Sequence, residues 1–296
     1  MMRRLFILFC IGLLSTPLQS QVRLKTLVET EPHFDFCEGF APDPSGQFLY
    51  LTNTVGNPLE ADGKGFISRI DLEGNILEQE WLNTGLNAPK DICIHGDKLY
   101  IADLSDVVEV DIPTASISHR YTIEGAHLNH NVCVDSQGAV YVSEMFAGKV
   151  FRILNGEIEC YVEGLHYTAG LLAEDEDLYV LVSDGMRMPS AAGERPELTD
   201  SGKLIKVDRE QKVTVIAEGL NPLGNGLRKI SDKEFLVSCW SGMLYYVHAD
   251  GTHQVLRDTR EEHIPCGLLH WDASTSRLYM TTDERNKLLI FQLIKE

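Results

Sequence analysis

Asn131-Val-Cys-Val-Asp135, Ser136-Gln-Gly138, Ala139-Val-Tyr-Val-Ser-Glu144, Ala147-Gly148, Lys149-Val-Phe-Arg-Ile-Leu154, Asn155-Gly156, Glu157-Ile-Glu-Cys-Tyr-Val162: this stretch decides the fold. It reads as an inner strand, a turn and a second strand, then a turn, a third strand, a two-residue Asn-Gly hairpin and an outer strand. The same phrase starts at Gly39-Phe40, Asp91-Ile92, Gly170-Leu171, Gly226-Leu227 and Gly267-Leu268. The aromatics of the second strands, Tyr50, Tyr100, Tyr141, Tyr179, Phe235 and Tyr279, lie 50, 41, 38, 56 and 44 residues apart. A period near 40 made of short alternating strands is the mark of a β-propeller with one four-stranded sheet per blade. No helical period is sustained after the first twenty residues. The expected fold is all-β, a six-bladed propeller.

The sixth copy ends at Phe291-Gln-Leu-Ile-Lys-Glu296, one strand short of a blade. Residues 22–28, Val-Arg-Leu-Lys-Thr-Leu-Val, are expected to supply that strand and to remove the open sheet edge. Residues 21–296 then form one propeller domain with no long linker. Two connections exceed the blade template, Asn53 to Gly65 and Asp184 to Gly202. They read either as plain surface loops or as a partial lid over one mouth of the channel.

Residues 1–20 read as a secretory signal, with Arg3-Arg4 before the apolar run Leu5 to Leu14 and a cleavage site after Leu18-Gln-Ser20. That run is short for a bilayer span, and no small residue precedes Cys10 to suggest a lipoprotein. The expectation is an exported chain, periplasmic or secreted and soluble, beginning near Gln21. The formal charge of −18 becomes −20 once two arginines leave with the signal. Such a surface repels nucleic acid and anionic membranes, and neither is expected as a partner. Six cysteines remain, Cys37, Cys93, Cys133, Cys160, Cys239 and Cys266, and no C-x-x-C pair occurs. Buried thiols are favoured over a disulfide framework.

Residues at the starts of the inner strands converge on one mouth of the channel: Glu38, Asp91, His130-Asn131, Ala169, Asn225 and Cys266. A carboxylate and amide oxygens around an axis suit a hard cation such as Ca²⁺. A second polar ring follows the second strands, with Asn53, Asp103, Glu144, Ser238 and Thr282, and Asp184 nearby. Of these, Asp103, Glu144 and Asp184 are candidate ligand-binding residues. His33, His127, His130, His166 and His263 fall in loops on the same face, and His130 or His166 is the candidate general base beside a cation.

Cys37-Glu-Gly39, Asn131-Val-Cys-Val-Asp135 with Val140-Tyr-Val-Ser143, and Asn225-Gly-Leu227 resemble the gluconolactonase-like proteins, the group that includes senescence marker protein (regucalcin). The resemblance is a diffuse pattern over about residues 22–296 and implies hydrolysis of a sugar lactone with one divalent cation on the channel axis. It places the family's glutamate ligand on Glu38, its asparagine on Ala169, its aspartate on Asn225, and a further asparagine on His130, with Asn131 beside it. Glu38, Asn225 and Asn131 are therefore the candidate metal ligands. Alanine at 169 and a neutral amide at 225 weaken a Ca²⁺ site, and a histidine shifts preference toward Zn²⁺.

Two functions stay open. One is a metal-dependent hydrolase of a lactone or related ester acting on a small-molecule substrate. The other is a non-catalytic propeller binding a small ligand or a protein partner, which Ala169 favours. A carbon–carbon bond-forming relative of the strictosidine synthase type shares the ring but has no specific residue here. No G-x-S-x-G, phosphate-cradling Gly-x-x-x-x-Gly-Lys or His-Glu-x-x-His is present. Oligomeric state is not legible.

Overall fold

A computed structural model describes residues 21–184 and 201–296. Six antiparallel four-stranded sheets follow one another, and no helix occurs among the described residues. Blade one is Cys37–Pro42, Phe48–Asn53, Gly65–Asp71 and Ile76–Leu86; blade two is Pro89–His95, Lys98–Asp103, Asp106–Asp111 and Ser116–Thr122. Blade three, the copy quoted above, is Asn129–Val134, Val140–Glu144, Lys149–Leu154 and Glu157–Val162. Its third and outer strands have the expected bounds, and its inner strand starts two residues earlier because Asn129 pairs with Glu144. At the hairpin, Asn155 and Gly156 both take positive φ, 53° and 83°, the geometry that matches strand twist. Blade four is Leu171–Glu174, Asp177–Ser183, Gly202–Val207 and Val213–Leu220; blade five is Gly224–Ser231, Glu234–Cys239, Met243–His248 and His253–Asp258.

Blade six closes the ring as expected. Leu269–Asp272, Arg277–Thr281 and Leu288–Lys295 are joined by the N-terminal strand Val22–Glu29, which pairs from Val22↔Lys295 to Glu29↔Leu289. Each inner strand packs against the next, and that of blade six against that of blade one. Alternating apolar residues fill the space between blades, as where Ala41, Tyr50 and Ile67 of blade one meet Ile92, Leu99 and Ile101 of blade two.

Hydroxyl groups on the second strands lock neighbouring inner strands together. Thr52 Oγ1 accepts from Gly39 N (2.8 Å) and donates to Lys90 O (2.8 Å), tying blade one to blade two. Ser238 Oγ accepts from Gly226 N and donates to Gly267 O, and Thr281 Oγ1 accepts from Leu268 N and donates to Glu38 O. The strands approach so closely that a Cβ at position 39 would lie 2.7 Å from Lys90 O, which requires glycine. The mouth residues Glu38 and Lys90 are thus carried on stapled backbone.

All six cysteines after residue 20 are free thiols, as expected. Cys37, Cys239 and Cys266 are buried, Cys93 and Cys133 partly so, and Cys160 lies exposed on an outer strand. No helix of the described residues is long and apolar enough to cross a membrane. The signal at residues 1–20 and most of the connection from Asp184 to Gly202 lie outside the described residues.

Candidate binding site at the channel mouth

Where the inner strands begin, a cavity of about 330 Å³ opens on the ring axis. Each blade contributes one buried residue to its floor: Glu38, Lys90, His130, Ala169, Asn225 and Asp283. Five of them occupy one repeat position, the residue before the pairs at 39–40, 91–92, 131–132, 170–171 and 226–227. Two residues earlier stand Phe36, Leu128, Tyr167 and Leu223, an apolar collar above the floor. Met145, Phe146 and Trp240 widen it, and Pro58 and Leu59 of the long blade-one connection lean over it. That connection, read from sequence as either a plain surface loop or a partial lid, thus places two apolar side chains on the cavity wall.

Backbone conformation marks the same place. Phe36, Tyr167, Leu223 and Asp283 all have φ between 35° and 62°, and all four line the cavity. Bulky side chains rarely adopt left-handed backbone, which costs roughly 1–3 kcal/mol each and gathers at ligand sites.

The floor is a network of charges and amides. Lys90 Nζ donates to Glu38 Oε1 at 2.9 Å, with both side chains only 3% exposed. His130 Nε2 faces Glu38 Oε2 at 3.5 Å, and its Nδ1 bonds Asn131 Oδ1 at 2.8 Å. Asn131 Nδ2 donates to Asp91 Oδ2 and to Asn225 O, both at 3.2 Å, so Asn131 and Asp91 form the layer beneath the floor. Asn225 Nδ2 reaches Asp283 Oδ2 at 3.5 Å, while Asn225 Oδ1 is buried with no hydrogen-bond partner. Burial, and then the negative charge of Glu38, push the Asp283 carboxyl well above its ordinary 3.8 despite Lys90. Burial likewise raises Asp91. At the centre of the floor one anion, Glu38, and one cation, Lys90, are paired to each other.

The other sequence candidates lie elsewhere. Asp103 accepts the backbone N–H groups of Asn87 and Ala88, and Glu144 those of His127, Leu128 and Ala147. Asn53 Oδ1 does the same for Asp35 N. In blades one to three this ring therefore anchors inter-blade loops, those held by Asn53 and Glu144 carrying Phe36 and Leu128 of the collar. Asp184 pairs with Lys203 at 2.5 Å. His166 is exposed and is not part of the cavity wall, as are His33, His127 and His263; among the five loop histidines only His130 reaches it. Cys266 shares the repeat position of the floor residues, but its thiol lies against Thr259 Oγ1, and Asp283 fills the sixth place.

A divalent cation is a poor fit to this donor set. Glu38 is already held by an ammonium group, so a dication would meet a fixed positive charge on its main carboxylate ligand. Among the described residues, no three His, Cys, Asp or Glu side chains are arranged to hold a metal ion.

No protein-family model matches the chain, and no curated protein matches it in sequence. Solved structures do match in shape. A catalytically inactive variant of virginiamycin B lyase from Staphylococcus aureus, crystallised with quinupristin, aligns with TM-score 0.59 and 14% identity, over 93% of this chain and 100% of that one. A streptogramin B lyase aligns with TM-score 0.59 and 11% identity, over 93% and 98%. An auxiliary nutrient binding protein from Bacteroides thetaiotaomicron aligns with TM-score 0.62 and 11% identity, over 93% of this chain and 77% of that one. At such identities the likeness speaks for the fold alone. The chain is a six-bladed β-propeller, closed by its N-terminal strand and similar in architecture to these lyases and this nutrient-binding protein.

Proposed function

We propose that this protein is an exported propeller that binds a small organic molecule in the mouth of its channel. One observation carries the reading: a cavity of about 330 Å³ has apolar walls and a buried floor drawn from all six blades, polar everywhere except at Ala169. Small-molecule sites span roughly 300–1,000 Å³ and pair apolar walls with a few placed polar groups. The left-handed backbone of Phe36, Tyr167 and Leu223 supports it, because strain of that kind is retained where a surface must keep one shape. The names of two structural neighbours, one crystallised with quinupristin and one a nutrient-binding protein, agree with a small ligand.

The test is a metabolite panel read by thermal shift on residues 21–296, beside Trp240→Ala and Phe146→Ala. Both side chains are exposed on the rim, so their loss leaves the fold intact. The expected result is a ligand whose affinity falls about tenfold in either variant, as removal of an aromatic contact of about 1.4 kcal/mol predicts. Shifts that both variants reproduce unchanged would move the ligand away from the mouth.

A second reading is the metal-dependent hydrolase of a sugar lactone or related ester that the resemblance implies, with Ca²⁺ or Zn²⁺ on Glu38, Asn225 and Asn131. The unpartnered Oδ1 of Asn225 favours it, and the Lys90 ammonium on Glu38 opposes it. Lactone turnover that a chelator abolishes and Ca²⁺ restores would establish it over the binding reading.

A further inference from the structure

We infer that Lys90 is the resident cation of the mouth, and that the ligand it serves carries an uncharged head group with both a hydrogen-bond acceptor and a donor, such as an amide or lactam, on a ring-sized apolar body. This deepens the small-molecule reading and rests on it.

Lys90 Nζ has three N–H donors, and its one hydrogen-bond partner in the structure is Glu38 Oε1. Asn225 Oδ1, on a side chain 3% exposed, has none. Both groups line the cavity from blades two and five. A buried polar atom left unpaired costs about 1–3 kcal/mol, so Asn225 Oδ1 is a place where a ligand atom gains affinity, and Lys90 has donors to offer beyond the one given to Glu38. A carbonyl oxygen meets the N–H groups of Lys90 not given to Glu38, on an ammonium that also lies 5.4 Å from the Phe36 ring centroid, and an N–H or O–H meets Asn225 Oδ1. Phe36, Leu128, Tyr167 and Leu223 then enclose the apolar body.

Charge decides the class. Glu38 already neutralises Lys90, so a carboxylate on the ligand would add a second buried anion beside one ammonium. A ligand ammonium would add a second buried cation beside Lys90, whose counter-ion Glu38 is already paired. An uncharged donor–acceptor head adds no charge and satisfies both open groups.

Three probes with one aromatic body separate these cases: benzamide, benzoate and benzylammonium, followed by ligand-observed NMR at pH 7 against the wild-type chain and Trp240→Ala. Ligand efficiencies for so few atoms place the preferred probe at a Kd of about 1 mM. Benzamide is expected to bind at least tenfold more tightly than either ion, and less well to Trp240→Ala. In Asn225→Leu, which removes the acceptor without adding charge, benzamide is expected to lose about fivefold or more. The wild-type ranking stands whether or not that variant folds. Benzoate or benzylammonium binding as well as benzamide would overturn the head-group inference and leave the small-molecule reading in place. No binding by any of the three at about ten times that Kd would remove both.

Discussion

Replacing Lys90 by methionine strands Glu38 in the floor of the propeller, and the size of the effect follows from the geometry. At 2.9 Å and an effective dielectric of about 20, the pair attracts by about 6 kcal/mol, offset by several kcal/mol of desolvation for each ion. Removing one partner of such a pair costs about 3–5 kcal/mol, because the other charge stays buried and unpaired. With a Tm change near 2 °C per kcal/mol for a chain of this length, Lys90→Met is expected to melt about 6–10 °C lower. Glu38→Met should cost a similar amount by stranding the ammonium. The double variant, with two apolar side chains of similar volume, should return to within about 1–2 kcal/mol of the wild type. Urea unfolding at pH 7 followed by circular dichroism, run as a double-mutant cycle, measures the coupling directly. A coupling of about 3 kcal/mol or more is expected. Single variants that each cost under about 1 kcal/mol and simply add would refute a buried, desolvated pair and with it the account of the floor.

Asp283 gives a pH signature. Its carboxyl holds a proton in the fold above the 3.8 at which the unfolded chain releases it, so the folded state binds more protons and stability falls as pH rises through that window. The fall is steepest at about 1.4 kcal/mol per pH unit, and Asp283→Asn is expected to flatten it in urea titrations run upward from about pH 4; an unchanged profile would contradict the raised carboxyl. Gly39→Ala places a methyl 2.7 Å from Lys90 O and is expected to cost about 1–3 kcal/mol, and a variant as stable as the wild type would disprove the tight approach of blades one and two. Burial raises the thiols of Cys37, Cys93, Cys133 and Cys239, and that of Cys266 to about 12, while Cys160 is exposed. Iodoacetamide should therefore modify Cys160 first in the native chain and the others only after unfolding, as peptide mass spectrometry would report.

The ring was legible in the sequence because a propeller repeats one local pattern six times. Alternation, Asn155-Gly156 and the aromatic that opens each second strand are set by strand pleat and turn geometry within a few residues. The missing strand was legible too, since a three-stranded last copy has one chemical remedy, pairing with the free strand at residues 22–28. Glu38, His130, Asn225 and Ala169 were found at the mouth from that same phase. Lys90 occupies the same repeat position, and strict phasing would have chosen it over its neighbour Asp91, whose carboxylate instead binds Asn131 below the floor. The apolar collar two residues before the floor was equally present in the repeat.

Other features had no local signal. Asp283 belongs to the turn between the second and third strands of blade six, outside the repeat position, and reaches the floor through a left-handed backbone and an isolated pairing with Cys37. Cys266 has the right phase and packs away from it. Whether Glu38 meets a metal or an ammonium depends on two inner strands, 52 residues apart in the chain, being held close by Thr52. The raised carboxyl of Asp283 depends on burial and on Glu38 of the adjoining blade. Strand period and turn chemistry are properties of neighbouring residues, and they determined the architecture. Charge pairing, desolvation and the direction of a side chain on the axis arise only when six distant segments meet, and tertiary structure alone decided those.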